Sequence, residues 1–299
     1  MQQLSQLKSQ LQKGNVAFLL GNGINRYNDF SNNRSWEKLL LDLHNRYAKN
    51  PLKSFPEKGI SCTEFYDLIL LDTKKRITKR DLQREFVNSI TNWNHAEHHT
   101  KILNQIRAYN APVLTTNFDD LLPRSINAQK FFTVENRQKE FTDYYPWQCY
   151  YSTKPLNEKL DGFSIWFLHG VWEYQRSIKL GLTDYVGNSI KAKEFLPIKK
   201  REDLFFKGEN TWLKPFFTKS LCIIGFGLNE QEMFLRWLLL QRALNFKRNI
   251  FPATKSWYIT FGEMSEGKKI FLQKVGIETV EVKSFKYLYE TMWKELLIT

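Results

Sequence analysis

Four short apolar runs in this chain each stop abruptly in a polar or glycine-led turn, and that repetition constrains the fold more than any other feature. Residues 16–20 run into Gly21-Asn22-Gly23-Ile24-Asn25, and residues 112–114 into Thr115-Thr116-Asn117-Phe118-Asp119-Asp120. Residues 164–168 end in His169-Gly170, and 221–224 in Gly225-Phe226-Gly227-Leu228-Asn229-Glu230. Apolar runs this short read as strands buried on both faces, as in a parallel sheet. One such ending is ordinary. Four at the same structural position predict a single ligand-binding edge, because open parallel sheets bind ligands at the carboxyl ends of their strands.

Two further runs extend the pattern, giving a mostly parallel sheet of about six strands near 16–20, 112–116, 164–168, 221–225, 257–260 and 278–282. Helical spacing in 229–245, 265–275 and 284–297 predicts helices covering both faces of an α/β fold. The stretch between the first two strands is too long for an ordinary crossover. Its apolar residues recur at helical spacing in 36–47, 62–71, 82–90 and 96–109, which predicts a helical insertion over 36–109. Residues 124–163 are aromatic-rich and irregular and predict a loop-rich cover over the site. The division expected is a core of 1–35 and 110–299, with 36–109 inserted and 124–163 lying across the edge.

Composition narrows the setting. At 42% hydrophobic and 15% aromatic, the chain can bury a sizeable core, yet no run approaches the roughly 20 apolar residues of a membrane span. Residues 1–13 lack the apolar stretch of a signal peptide. Cys62, Cys149 and Cys222 are widely spaced and form no CxxC, so neither a disulfide framework nor a structural zinc site is expected. A reducing cytoplasm and no membrane partner follow. His95 and His99 stand four apart near His98, but the carboxylate of an HExxH metal helix is missing, so the metal expectation is none. The net charge of +13 leaves nucleic acid open as a partner. The basic runs, Lys74-Lys75-Arg76, Lys79-Arg80, Lys191 with Lys193, and Lys199-Lys200-Arg201, carry no interleaved aromatics and read as solvated faces. Any nucleic-acid contact is expected to be indirect; such a field also suits an anionic ligand or an acidic partner.

A strand feeding a Gly-x-Gly turn is the entry to a phosphate-binding loop, since glycine lets the backbone approach an anion. Taken in order, the four motifs resemble the sirtuin (SIR2) superfamily. Gly21-Asn22-Gly23-Ile24-Asn25 is similar to the Gly-Ala-Gly-x-Ser cofactor loop, with Asn25 for serine. Thr116-Asn117-Phe118-Asp119 resembles Gln-Asn-Ile-Asp, with Thr116 for glutamine. Leu168-His169-Gly170 resembles the catalytic His-Gly, and Gly225-Phe226-Gly227 the later glycine-led motif that contacts NAD. Leu182-Thr183-Asp184-Tyr185 and the run ending at Asn229 look especially like the SIR2-like proteins of bacterial antiphage systems. The resemblance spans roughly residues 14–262. It implies a Rossmann-like core, NAD as substrate, and cofactor contacts from Gly21, Asn22, Gly23, Asn25, Thr116, Gly225, Gly227 and Asn229. Sirtuin deacylases carry a four-cysteine zinc module after His-Gly; here only Cys222 follows His169, within a predicted strand, so the module is expected to be absent.

The resemblance assigns catalytic roles to Asn117, His169 and Asp119. Cleaving the nicotinamide–ribose bond leaves positive charge at the anomeric carbon. Asn117 can both donate and accept, which suits positioning a water or the ribose hydroxyls. Asp119 can orient the nicotinamide or its loop, or offset the charge. His169 is the candidate base, and an ordinary imidazole pKa predicts loss of activity on the acid side. Each residue also has a purely structural reading: a core histidine at 169, a cap at Asn117, and an N-cap at Asn229-Glu230 for the helix that follows. The expected activity is NAD+ glycohydrolysis by an NAD-depleting antiphage effector. A protein deacylase or ADP-ribosyltransferase, and a degenerate nucleic-acid or partner-binding module, are the alternatives. Implied partners are further copies of the chain and a regulatory protein of HerA-like ATPase or Argonaute type. Elemental analysis of the purified protein is expected to find no stoichiometric zinc; one zinc per chain would overturn that expectation.

Overall fold

A computed structural model describes residues 2–29, 33–56, 58–73, 77–135 and 141–297; the basic run Lys74-Lys75-Arg76 lies outside the described residues. The chain opens with α1 (Gln2–Gln12) and β1 (Val16–Leu20), which turns into the short α2 (Gly23–Arg26). Four helices follow: α3 (Trp36–Tyr47), α4 (Cys62–Ile69), α5 (Lys79–Ile90) and α6 (Glu97–Ala108). Next come β2 (Pro112–Thr115), α7 (Leu121–Arg124), β3 (Gln129–Phe132), β4 (Cys149–Ser152) and β5 (Ser164–Phe167). Beyond β5 lie α8 (Leu182–Lys193), β6 (Ile198–Lys200), β7 (Asp203–Phe205) and α9 (Leu213–Thr218). Regular alternation closes the chain: β8 (Ser220–Ile224), α10 (Met233–Lys247), β9 (Ser256–Thr260), α11 (Glu266–Lys274), β10 (Ile277–Glu281), a π turn (Tyr287–Thr291) and α12 (Met292–Leu297).

Eight strands form one sheet in the order β10-β9-β8-β1-β2-β5-β4-β3. The six from β10 to β5 are parallel, and β4 and β3 extend the edge antiparallel. The sheet thus exceeds the six strands expected, because 129–132 and 149–152, expected as loop, pair along its edge. The β6–β7 hairpin was also not foreseen. Helix α10 starts at Met233 rather than 229, and its N-cap is Glu232, so Asn229-Glu230 does not cap it.

Side-chain alternation explains why both faces are covered. Val16, Phe18 and Leu20 point into one layer with Leu7 and Leu11 of α1, Ile102 and Ile106 of α6, and Met292 and Trp293 of α12. Ala17 and Leu19 point into the other, with Phe216 and Phe217 of α9 and Leu235 and Leu238 of α10. A strand buried on both faces cannot alternate with polar residues, which is why VAFLL is apolar throughout.

Within 36–109, α6 joins the first core layer, whereas α3, α4 and α5 build a third cluster around Leu40, Tyr66, Leu82 and Phe86. Ser35, Ser61 and Thr78 start these three helices by accepting from the backbone N–H three residues on. Their cluster closes over Phe118, Ile178 and Leu180, so the helical layer sits on the carboxyl edge of β2 and β5. Phe118, inside the TTNFDD motif, meets Trp36 and Phe86 edge-on at 5.3 and 5.6 Å.

At the carboxyl ends of β1 and β8 the backbones touch. The Gly23 N–H donates to the Gly225 carbonyl at 2.7 Å, and a Cβ added at Gly21 would lie 2.5 Å from that same oxygen. Backbone cannot yield as a side-chain tip does. Gly21→Ala is therefore expected to cost about 2 kcal/mol or more of stability, in the range of overpacked cores, read as a lowered urea midpoint. An unchanged midpoint would mean the loops separate freely.

Candidate functional site

The strand order reverses between β1 and β8, since β2 and β5 lie to one side and β9 and β10 to the other. Such a switch point opens a crevice at the carboxyl ends of the strands. Two cavities occupy it. One of about 540 Å³ is lined by Arg26, Tyr258, Thr260, Phe261, Phe285 and Tyr289 among others. A second of about 220 Å³ is lined by Trp36, Cys62, Thr116, His169, Tyr185 and Glu232 among others. Both share Gly23, Arg26, Gly225, Phe226 and Gly227, so the touching glycine loops form the ridge between them.

The ridge is braced from below. The Tyr258 hydroxyl donates to the Phe226 carbonyl at 2.8 Å and accepts from the Lys268 ammonium, which also reaches the Gly227 carbonyl. The N–H groups of Gly21 and Gly23 are turned to the Ile224 and Gly225 carbonyls. These N–H groups therefore make loop-to-loop contact. Asn22, Gly23, Thr116, Gly225, Gly227 and Asn229 line the smaller cavity.

His169 is 2% exposed, and neither ring nitrogen has a hydrogen-bond partner. Its ring stacks on Tyr185 at 5.0 Å and 21°. Burial, aided by the Lys179 ammonium, pushes its pKa down to about 3, so the imidazole is neutral at neutral pH. Its Nε2 stands 3.9 Å from a Glu232 carboxylate oxygen, too far for a hydrogen bond but close enough for Coulombic coupling. Burial raises Glu232 to about 7, opposed by the Tyr185 hydroxyl 3.5 Å away.

Asn117 is likewise buried with both side-chain amide atoms unpartnered; its backbone N–H bonds the Thr115 hydroxyl at 3.1 Å. It lines a small pocket of about 20 Å³ that shares Asn22, Trp36 and Thr116 with the cavity of His169. The two side chains thus stand on adjacent parallel strands at the same edge, in adjoining pockets rather than one.

Asn25 and Asp119 are placed differently from the other predicted site residues. Asn25 is fully buried and lines neither cavity. Its amide donates to Asp119 at 2.7 Å, and its carbonyl oxygen lies 3.1 Å from His99 Nε2. His99 Nδ1 accepts from the Ala96 N–H, so Nε2 carries the proton and donates to Asn25. The second Asp119 oxygen accepts from the Leu121 N–H at 3.0 Å. Desolvation raises Asp119 to about 6, against those bonds. The chain of three side chains ties the first glycine loop to the TTNFDD loop. Asn25 thus fastens the two loops together through Asp119 and His99.

The histidines of α6 are accounted for in the same way: His98 bonds the Ile24 carbonyl at 2.7 Å, and His99 the network above. Among the described residues, no group of three or more His, Cys, Asp or Glu could hold a metal.

Among known families, residues 112–280 match the SIR2-like domain, more than half of the chain. The chain belongs to the SIR2-like family. No curated protein matches it. The SIR2-like match includes the TTNFDD, His-Gly and GFGLN motifs, while the Gly21–Asn25 loop and the C-terminal helix lie outside it. SIR2-like domains bind NAD, and this one is an NAD-utilising enzyme by family. Among the described residues, no helix is long and apolar enough to cross a membrane.

Sequence reading missed several lining residues of this SIR2-like site. Glu232 follows Asn229 closely, but its approach to His169 depends on where α10 begins. Tyr185 lies in the LTDY run, which carries the family resemblance but implies no role for the tyrosine. Arg26 and Trp36 carry no motif at all. Removing Asn25 leaves His99 and Asp119 each short of a buried partner, at about 1–3 kcal/mol apiece. Asn25→Ala is therefore expected to lower the urea unfolding midpoint of the ligand-free protein; a midpoint equal to wild type would make Asn25 a ligand contact after all.

Proposed function

We propose that the protein is an NAD+ glycohydrolase releasing nicotinamide and ADP-ribose, and that it depletes NAD as an antiphage effector. The observation that carries the reading is the pair Asn117 and His169. Both are buried at one sheet edge beside a glycine ridge, with four polar atoms that have no partner in the protein. Unpartnered buried polar groups are costly and call for a ligand. The nicotinamide and its ribose fit the smaller cavity, the adenosine fits the larger, and the diphosphate fits over the ridge beside Arg26.

In this reading His169, neutral and unpartnered, takes the proton of a water or ribose hydroxyl as the bond breaks. Glu232, ionised above about pH 7, then stabilises the imidazolium 3.9 Å away. Asn117 holds the nucleophile or ribose through its free amide. Trp36 and Phe118, fixed by the helical layer, keep bulk water out. With three cysteines in all, the chain cannot build the four-cysteine module of deacylases, which disfavours acyl-lysine as a substrate. Control is proposed to come from oligomerisation or a separate partner of HerA-like ATPase or Argonaute type.

The deciding experiment follows nicotinamide release from NAD by the purified protein, alone and with neighbouring gene products. Asn117→Ala and His169→Ala are each expected to cut the rate at least about 10²-fold, with the double variant little worse than either. No release under any of these conditions would sink the enzyme reading. DNA binding with steep salt dependence, in its place, would select the binding module.

The pH profile separates the two titrating groups. The His169 pKa, near 3, keeps the ring neutral above pH 5, so it produces no limb near 6.5. The rate is instead expected to rise with pH through about 7 as Glu232 ionises, and Glu232→Gln should abolish that limb. A limb that persists in Glu232→Gln would return the titration to His169.

A further inference from the structure

The C-terminal π turn carries a group that neither the motifs nor the fold requires. Tyr289 is 2% exposed and its hydroxyl has no hydrogen-bond partner, although it lines the larger cavity. The oxygen sits at the glycine ridge: a Cβ added at Gly225 would lie 2.7 Å from it, and one at Gly23 2.8 Å. The ring is held on both sides, by Tyr27 at 4.8 Å and Phe285 at 6.5 Å. Behind it Trp293 packs on Phe18 of β1 at 5.4 Å, and the Tyr109 hydroxyl bonds the Leu296 carbonyl. The hydroxyl is therefore rigidly aimed at a place where the protein offers it nothing. An unpaired buried hydroxyl costs stability in the empty protein and is retained where a ligand satisfies it. The π turn that presents it is a rare element, found often at functional sites.

Resting on the NAD reading above, we propose that the Tyr289 hydroxyl donates a hydrogen bond to the dinucleotide's diphosphate as it crosses the ridge between the two cavities. The chemistry is specific. Burial raises the phenol's pKa well above its usual value, so the group remains a neutral donor at every working pH. A neutral donor holds an anionic oxygen without cancelling its charge, and Arg26 lines both cavities at the same ridge. The glycines at 23 and 225 then have a second purpose: any side chain there would fill the space the hydroxyl occupies. Tyr289 is a binding residue, acting on the diphosphate and not on the bond that breaks.

The test is calorimetric titration of the full chain with ADP-ribose, which carries the diphosphate but no scissile nicotinamide, and with adenosine, which lacks the diphosphate. Tyr289→Phe is expected to weaken ADP-ribose about tenfold or more, the loss of one hydrogen bond to a charged group, and to leave adenosine unchanged. Thermal unfolding of the ligand-free variant should occur at or above the wild-type temperature, because the lost hydroxyl had no partner. Equal ADP-ribose affinity in wild type and Tyr289→Phe overturns the assignment while leaving the NAD reading intact. A lowered melting temperature with equal weakening of both ligands makes the hydroxyl structural and also overturns it. If wild type binds neither ADP-ribose nor NAD, the NAD reading fails and this one with it.

Discussion

One backbone hydrogen bond, from Gly23 N–H to the Gly225 carbonyl, fixes the place where everything else meets. It joins the turns after β1 and β8, the two central strands of the parallel part of the sheet, at the point where the strand order reverses. Contact that close between backbones is possible only without side chains, which is the physical reason for glycine at 21, 23 and 225. From this ridge the site extends in two directions. The walls toward β2 and β5 supply buried, unpartnered polar groups; those toward β9 and the C-terminal helix supply mostly aromatic surface.

Electrostatics in the crevice run against the chain's overall charge. The protein is strongly basic, yet several of its titrating groups are driven toward neutrality. Desolvation keeps His169 and His99 unprotonated and lifts Asp119 and Glu232 toward neutral pH. Lys179, buried over the Tyr144 ring, is lowered to about 7 by the same cause.

The parallel strands could be read from sequence because burial on both faces leaves runs such as VAFLL and LCII no alternative composition. The edge strands could not: β3 reads QKFF with its first two residues exposed, and β4 reads CYYS amid other aromatics. What makes them strands is a neighbour's unpaired edge, a tertiary fact. Motif residues were legible as a set because strand ends coincide at one edge. Their individual roles were not. Nothing near Asn25 in sequence announces its partner, Asp119, 94 residues away. The protonation of His169 was invisible for the same reason, since its pKa is set by residues stacked on it in space.

The crevice also joins residues that lie far apart in sequence. Its ridge begins at Gly21, while Phe285, Leu288 and Tyr289 close the larger cavity some 260 positions later. A ribosome must therefore translate past Tyr289 before the pocket has its last wall. An intermediate halted between Gly170 and Phe285 holds the TTNFDD and His-Gly loops but lacks that side of the enclosure. Synthesis order thus decides when the crevice can close, because copies stopped short of Phe285 emerge without that wall.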